Sequence, residues 1–171
     1  YYHIPKLKEY SSKSRRVIEF GVRDMNSSWG LLAGNPTWML SYDFYPPTLE
    51  EMLFKFYAVA KDNNISYDFR LSNTLEIVIP HVDFLFIDSL HTYSQLKQEL
   101  KLHASNVEKF IGFHDTKLFA HVGQQNSDCK FKNSKGLLDA VREFLKENKQ
   151  WKIDYHTDEC NGLTVIKKVS E

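Results

Sequence analysis

The sequence predicts a single α/β domain: a mostly parallel β-sheet with helices on both faces and a C-terminal hairpin that adds one antiparallel strand at an edge. Short apolar segments typical of strands alternate with longer segments whose apolar residues recur at helical spacing. That alternation indicates parallel strands joined by helical crossovers. The 171 residues are enough for one domain with a sizeable core, and 42% hydrophobic with 26% charged residues is an ordinary globular composition.

The charge balance narrows the class of protein. Lys and Arg number 22 and so do Asp and Glu, so there is no basic excess to bind nucleic acid or an anionic membrane surface. No apolar run approaches the roughly 20 residues needed to span a bilayer. We therefore expect neither nucleic acid nor a membrane as a partner.

The two cysteines, Cys129 and Cys160, form neither a metal-binding pair nor a disulfide framework. Free thiols are typical of a reducing compartment, so we expect a cytoplasmic location. We assign the polar residues 1–15 to a loose lead-in segment and residues 16–171 to the domain. The sequence begins with Tyr1 rather than Met, as a domain taken from a longer polypeptide would.

Three strands and two helices are predicted in the first half of the chain. The strands are RVIEFG (residues 16–21), TWMLSYD and ISYDFRL. The first helix lies in SSWGLLAGN, with Ser27 as its cap and Gly34 as its stop. The second helix begins in a capping box formed by Thr48 and Glu51.

The second half adds VDFLFID as the fourth strand and FIGFHD as the fifth. The helix between them is predicted to bury Leu96, Leu100 and Val107 on one stripe. The polar stretch 116–135 is predicted to be an active-site loop, because long loops without structure of their own are commonly functional. A last helix and two strands joined by the Asn-Gly pair at 161–162, a hairpin signal, complete the chain.

Four of the predicted strands end in a carboxylate: Glu19, Asp43, Asp88 and Asp115. In an open parallel sheet, ligands bind beyond the carboxyl ends of the strands. If the fourth and fifth strands are neighbours, Asp88 and Asp115 lie about 5 Å apart, the spacing between strands. Two carboxylates that close repel unless a cation, a proton or a hydrogen-bond network joins them. This pair is therefore a candidate metal or catalytic site.

The first strand ends in a turn suited to a nucleotide. Gly21 permits a tight turn, and Asp43 follows about 20 positions later, where an acid commonly hydrogen-bonds ribose hydroxyls. After Gly21 the sequence reads Val-Arg-Asp-Met-Asn, without the GxGxxG that suits a dinucleotide pyrophosphate. An adenosine cofactor without phosphates is therefore favoured over NAD.

These motifs resemble those of class I S-adenosylmethionine-dependent methyltransferases. Among these, they resemble the small family of sugar and glycan O-methyltransferases related to cephalosporin hydroxylase. The matching segments are EFGVRDMNSS, SYDFYP, IDSLHTY and GFHDT, and the similarity covers residues 16–168. Two departures are Met25 and Asn26, where the family often has a glycine, and residues 107–109, which replace a Pro-Gly-Gly turn. The resemblance implies a Rossmann-like fold and methyl transfer to a hydroxyl of a sugar, in a glycan or a glycosylated product.

The resemblance also implies roles for individual residues. The residues expected to contact S-adenosylmethionine are Glu19, Gly21, Ser27, Asp43, Ser72, Asn73 and Asp88. His91 is the candidate general base for the acceptor hydroxyl, with Asp88 and Asp115 as its catalytic neighbours. Alternatively, these two carboxylates could hold Mg or Mn that acidifies the hydroxyl. Tyr93, His114 and Phe119 are candidate contacts of the acceptor, a small molecule or a glycan. The other histidines, among them His3, are assigned no chemistry.

Two other functions stay open from the sequence. One is an NAD-dependent oxidoreductase, which the missing glycine fingerprint and the lack of room for a substrate domain oppose. The other is a non-catalytic, methyltransferase-like binding module. Met25 favours this module, whereas intact Asp43, Asp88, His91 and Asp115 weigh against it.

Overall fold

The computed structural model describes residues 2–124 and 135–169, which contain one seven-stranded sheet and five α-helices. The strands are β1 (Arg16–Phe20), β2 (Trp38–Asp43), β3 (Ser66–Leu71), β4 (Val82–Ile87), β5 (Val107–His114), β6 (Trp151–Thr157) and β7 (Leu163–Lys168). The helices are α1 (Ile4–Ser12), α2 (Asn26–Leu32), α3 (Glu50–Asp62), α4 (Tyr93–His103) and α5 (Leu137–Glu147). Every strand predicted from the sequence is present.

The strand order is β3-β2-β1-β4-β5-β7-β6, and β7 alone runs antiparallel to the other six strands. This confirms the mostly parallel sheet with a C-terminal hairpin. The antiparallel strand was expected at an edge, but β7 inserts beside β5 and leaves β6 outermost. The order reverses between β1 and β4, so the carboxyl ends of these strands open a crevice at a topological switch point.

The core lies on both faces of the sheet, because successive strand residues point in opposite directions. Ile18 and Phe20 of β1 pack in the layer formed with α4 and α5, whereas Val17 packs in the layer formed with α1, α2 and α3. The central strand β4 is apolar on both faces, with Leu85 in the first layer and Phe84 in the second. A continuous apolar run is what a strand covered on both sides requires.

The lead-in segment was expected to be loose, and this expectation is wrong. Residues within it form α1, which buries Leu7 and Tyr10 against the sheet and packs on α2 at Gly30. Ser11 Oγ donates to the carbonyl of Leu31 at 2.6 Å and ties the two helices together. The sequence of this helix contains few apolar residues, so it gives little sign of a helix. Tertiary packing rather than intrinsic propensity stabilises it.

Two expected helix starts are also wrong. The residue at the N-cap of α2 is Met25, not Ser27, whose hydroxyl donates to Glu19 instead. Leu49 is the N-cap residue of α3 and makes no side-chain cap, so Thr48 does not form the expected capping box.

The stripe predicted for the helix after β4 is correct at Leu96 and Leu100, which are buried, but wrong at Val107. The chain leaves α4 through a 3-10 turn, and Val107 begins β5. Within the two described ranges, 2–124 and 135–169, no helix has the length and apolarity to cross a membrane.

Candidate active site

Gly21 brings the ends of β1 and β4 into contact. Its φ of 84° lies in the left-handed region, and a Cβ at this position would overlap the carbonyl oxygen of Asp88. The N–H of Asp88 donates to the carbonyl of Phe20 at 2.7 Å, and the N–H of Gly21 donates to the carbonyl of Tyr42 at 2.8 Å. Only glycine allows this approach, so Gly21 fixes the shape of the crevice.

Asp43 holds the loop that follows Gly21. Its Oδ2 accepts hydrogen bonds from the N–H groups of Val22 at 2.7 Å and Arg23 at 3.1 Å, and its Oδ1 accepts one from the N–H of Tyr45 at 3.0 Å. The carboxylate therefore positions the backbone between β1 and α2 from the end of the neighbouring strand.

Met25 occupies the position where the family that the motifs resemble often has a glycine. Its backbone has a φ of 61°, the left-handed conformation that glycine adopts at lowest cost, and its side chain is fully buried. The loop thus keeps a glycine-like turn, and burial of the methionine side chain offsets the strain of order 1–2 kcal/mol.

Two adjoining cavities open at this edge of the sheet. The first has a volume of about 390 Å³ and is lined in part by Gly21, Ser27, Asp43, Asp88, His91, His114 and Asp115. The second, of about 730 Å³, shares Gly21, Asp43, Asp88 and His91 with the first and extends to Ser72 and Asn73. The structure therefore brings together most of the residues predicted from the sequence, at the carboxyl ends of five different strands.

Two carboxylates and two imidazoles meet where the cavities join. His91 Nε2 lies 2.9 Å from Asp88 Oδ1 and 3.4 Å from Asp115 Oδ2. His114 Nδ1 lies 3.0 Å from Asp115 Oδ1 and 3.3 Å from Asp88 Oδ1. The predicted proximity of Asp88 and Asp115 follows from the direct pairing of β4 with β5.

The four groups shift one another's pKa. Burial alone lowers the pKa of His114, but the carboxylates of Asp115 and Asp88 outweigh burial and raise it to about 10. Burial likewise lowers and Asp88 raises the pKa of His91, with a net upward shift. For Asp88, burial raises the pKa, but the two imidazoles lower it by more than burial raises it. The net shift is downward, so the carboxylate stays ionised. In this arrangement His114 carries a proton at neutral pH, and Asp88 and Asp115 both favour the protonated form of His91.

Asp115 Oδ1 is a buried acceptor without a hydrogen bond among the described residues. His114 Nδ1 is close enough, but not in hydrogen-bond geometry. The residue is 8% exposed, and its φ of 56° holds it in a left-handed conformation that costs an aspartate free energy. A strained residue with an orphaned oxygen that faces a cavity is typical of a ligand site.

His91 is held by the loop after β5. The ring of Phe119 stacks on the imidazole, with 5.0 Å between ring centroids and 8° between ring planes. Gln124 Oε1 lies 3.0 Å from His91 Nδ1, and the Gln124 N–H donates to the His91 carbonyl at 2.7 Å. Phe119 lines neither cavity, so it contacts His91 rather than the cavity space. Residues 125–134 of the predicted active-site loop lie outside the described residues.

Glu19 and Tyr93 also lie away from both cavities. Glu19 is fully buried, and its carboxylate accepts hydrogen bonds from Ser27 Oγ at 2.7 Å, Ser28 Oγ at 2.7 Å and Ser41 Oγ at 2.8 Å. Burial raises the pKa of Glu19 to about 7, although these hydroxyls oppose the shift. The Tyr93 hydroxyl donates to Glu143 on α5.

Glu99 on α4 is a buried group that the sequence reasoning missed. Its carboxylate accepts hydrogen bonds from Thr74 Oγ1 at 2.6 Å, Ser89 Oγ at 2.8 Å and Gln95 Nε2 at 3.0 Å. Thr74, Ser89 and Gln95 all line the second cavity. Glu99 therefore joins the loop after β3 to the loop after β4. A signal was available, because Glu99 falls on the same helical stripe as Leu96 and Leu100.

His3 was also missed. It stands before α1, lines the first cavity and is 7% exposed. Its Nε2 lies 3.0 Å from the carbonyl oxygen of Cys160, and its ring meets the ring of His114 edge-on, with centroids 5.1 Å apart. Burial is the main cause of a lowered pKa of His3.

The fold and the strand-end site define a Rossmann-like methyltransferase of the α/β class. The family model of rhamnosyl O-methyltransferase/CmcI matches residues 75–169, more than half of the chain, and this range includes Asp88, His91 and Asp115. The chain belongs to the rhamnosyl O-methyltransferase/CmcI family, which confirms the family that the motifs resemble. No curated protein gives a significant match to the chain.

Solved structures share this fold at low sequence identity. The O-methyltransferase from Bacillus cereus in complex with SAH is 14% identical, with a TM-score of 0.63 over 99% of this chain and 81% of that chain. TomG, the O-methyltransferase from Streptomyces achromogenes in complex with SAM, is 14% identical, with a TM-score of 0.60 over 97% and 80%. The SAH-bound methyltransferase PaMTH1 from Podospora anserina is 15% identical, with a TM-score of 0.56 over 99% and 77%.

Proposed function

We propose that this protein transfers the methyl group of S-adenosylmethionine to a hydroxyl of a sugar, in a glycan or a glycosylated product. The observation that carries the proposal is the pair of adjoining cavities, with a charged cluster of two carboxylates and two imidazoles where they meet. Two ligands can then approach the same cluster from two sides. The family name supports a sugar acceptor.

The larger cavity suits the adenosine end of the cofactor. Asp43 lines it, and an acid at the end of β2 can accept hydrogen bonds from ribose hydroxyls. Ser72 and Asn73 line the side where an adenine would lie. Gly21 and Ser27 line one part of the smaller cavity, where the methionine end would follow, and the part lined by His3 and Asp115 is left for the acceptor. Solved neighbours of this fold hold SAM or SAH.

The charged cluster suits a divalent cation. Asp88, His114 and Asp115 each offer a ligand atom, and these atoms all lie within 4.8 Å of one another. A bound cation would take the place of the ring proton that the two carboxylates hold on His114. The orphaned Asp115 Oδ1 is a ready ligand. One imidazole nitrogen among carboxylate oxygens favours Mn²⁺ over Mg²⁺, which prefers oxygen ligands only. A cation held there would lower the pKa of a bound hydroxyl.

The residues around the cluster can manage the acceptor proton. In the reaction the acceptor oxygen bonds to the methyl carbon, the bond from that carbon to sulfur breaks, and the hydroxyl proton must leave. His91 is positioned by Phe119 and Gln124 beside Asp88, so its ring faces the join of the cavities. It can accept the proton once its own proton has been released, and Asp88 then stabilises the imidazolium.

Transfer of an isotope-labelled methyl group from S-adenosylmethionine to a panel of methyl glycosides, including methyl α-L-rhamnoside, tests this proposal. Each reaction is run with Mn²⁺, with Mg²⁺ and with EDTA. Labelled methyl ether in the glycoside is the expected product, with the most in Mn²⁺. Binding of S-adenosylhomocysteine without transfer to any glycoside would refute the sugar acceptor, and no binding at all would favour the non-catalytic binding module.

A further inference from the structure

Helix α1 forms a fixed wall of the smaller cavity. His3, Ile4 and Leu7 line this cavity together with Gly21, Asp88 and Asp115 from the strand ends. The helix is held from outside the cavity, since the Tyr10 hydroxyl donates to Asp154 of β6 at 2.8 Å. Its other side packs closely on α2. Contacts with β6 and with α2 therefore hold this wall in place.

The hydrogen bond of His3 fixes the roles of its ring nitrogens. The carbonyl of Cys160 can only accept, so His3 Nε2, 3.0 Å away, must carry the hydrogen. The other nitrogen, Nδ1, makes no hydrogen bond to a described residue and is not among the buried unpartnered atoms of residues 2–124 and 135–169. On a ring that lines the cavity, this nitrogen is the hydrogen-bonding atom left for a ligand.

We infer that His3 is an acceptor-binding residue, whose Nδ1 accepts a hydrogen bond from a hydroxyl of the sugar while Ile4 and Leu7 contact its apolar ring carbons. The inference rests on the proposed function. His114 and Asp115 are assigned to the proposed cation, whereas the ring of His3 contacts only the edge of His114 and forms no ion pair with either carboxylate among the described residues. A sugar presents neighbouring hydroxyls, so one can approach the cluster while another meets His3.

Two substitutions distinguish the role of His3 Nε2, which holds Cys160, from the proposed role of Nδ1, which binds the acceptor. In His3→Gln the side-chain amide reaches the place of Nε2 and can still donate to the Cys160 carbonyl, but nothing replaces Nδ1. In His3→Asn the shorter amide supplies an acceptor near the place of Nδ1 and loses Cys160. The readouts are the KM for methyl α-L-rhamnoside, kcat, the melting temperature, and the Kd of S-adenosylhomocysteine as the control for the cofactor site.

We expect His3→Gln to raise the KM for the glycoside about tenfold or more, with the Kd of S-adenosylhomocysteine and the melting temperature close to wild type. His3→Asn should keep a KM nearer that of wild type and lose some thermal stability. The opposite pattern, a normal KM in His3→Gln and a raised one in His3→Asn, would mean that His3 only holds the Cys160 turn. If wild type binds S-adenosylhomocysteine but methylates no glycoside, the proposed acceptor class is wrong, and the inference about His3 is refuted as well.

Discussion

Glu19 and Asp115 are both buried carboxylates near strand ends of one sheet, but their surroundings are opposite. Three serine hydroxyls donate to Glu19, which lies outside both cavities. Asp115 has two imidazoles as neighbours, keeps one oxygen without a hydrogen bond among the described residues and faces the smaller cavity. Burial of an acid therefore does not by itself indicate chemistry, and the hydrogen-bond inventory separates the two cases.

The hydrogen bonds made by each strand-end acid indicate its role. An acid whose oxygens are satisfied by the protein stabilises the local backbone, as Glu19 does by joining β1, β2 and α2. An acid with an orphaned oxygen at a cavity retains capacity for a ligand. Asp43 lies between the two, since backbone N–H groups hold both of its oxygens although it lines both cavities.

The largest effect is expected for Asp115→Asn. The substitution keeps the size of the side chain but removes the charge that pairs with His91 and His114, so turnover should fall about 100-fold or more. The fold should survive, because no described residue donates a hydrogen bond to Oδ1. Steady-state kinetics and circular dichroism check both points. Asp139→Asn on α5, outside both cavities, is the control, and equal losses in the two variants would contradict the account.

Gly21→Ala should come next in effect. The left-handed backbone costs an alanine about 1–2 kcal/mol, and the added Cβ overlaps the Asp88 carbonyl, so β1 and β4 must separate. We expect a lower melting temperature and loss of measurable S-adenosylhomocysteine binding by calorimetry. Gly30→Ala, in helical backbone on α2, is the control: its added Cβ would lie 3.3 Å from Leu7 Cβ, so it should lose some thermal stability but keep binding. Normal binding in Gly21→Ala would show that the crevice does not depend on this contact.

Glu99→Ala tests a carboxylate that lines neither cavity but holds residues of the larger one by hydrogen bonds. Thr74 and Ser89 lose their common acceptor, so the two loops that line the larger cavity should move relative to each other. We expect about tenfold weaker binding of S-adenosylhomocysteine, and a smaller loss in Glu99→Gln, which keeps one acceptor oxygen. The exposed Glu147→Ala is the control. A lower melting temperature with unchanged affinity would leave Glu99 a purely structural role.

The pH dependence of the free energy of unfolding should reveal the raised pKa of Glu19. Its pKa in the folded protein, about 7, lies above the ordinary value of 4.5, so folding favours the protonated form. The stabilising contribution is complete below pH 4.5 and is lost as the pH rises to about 7, by an amount of order 3 kcal/mol. Urea unfolding of wild type and Glu19→Gln between pH 5 and 8 measures it. The difference between the two proteins should change with pH, and a constant difference would contradict the shift.

The sheet could be predicted from the sequence because its strands are apolar runs that end at acids. Asp88, His91 and Asp115 could be predicted to meet because β4 and β5 are consecutive strands of a parallel sheet. Contacts made by distant segments could not be predicted. His3 reaches the cavity only because α1 packs on α2, and its partner Cys160 is 157 positions away in sequence. Glu99 depends likewise on hydroxyls from two separate loops.

The opposite roles of Asp115 and Glu19 rest on one claim: that the strand ends bind S-adenosylmethionine beside a cation site at Asp115. Calorimetric titration of the protein with S-adenosylhomocysteine, once with EDTA and once with Mn²⁺, tests it most directly. We predict binding in both titrations, and a separate Mn²⁺ binding heat that disappears in Asp115→Asn but persists in Glu19→Gln. No binding of S-adenosylhomocysteine under either condition would contradict the account, and Mn²⁺ binding that survives Asp115→Asn would place the cation elsewhere.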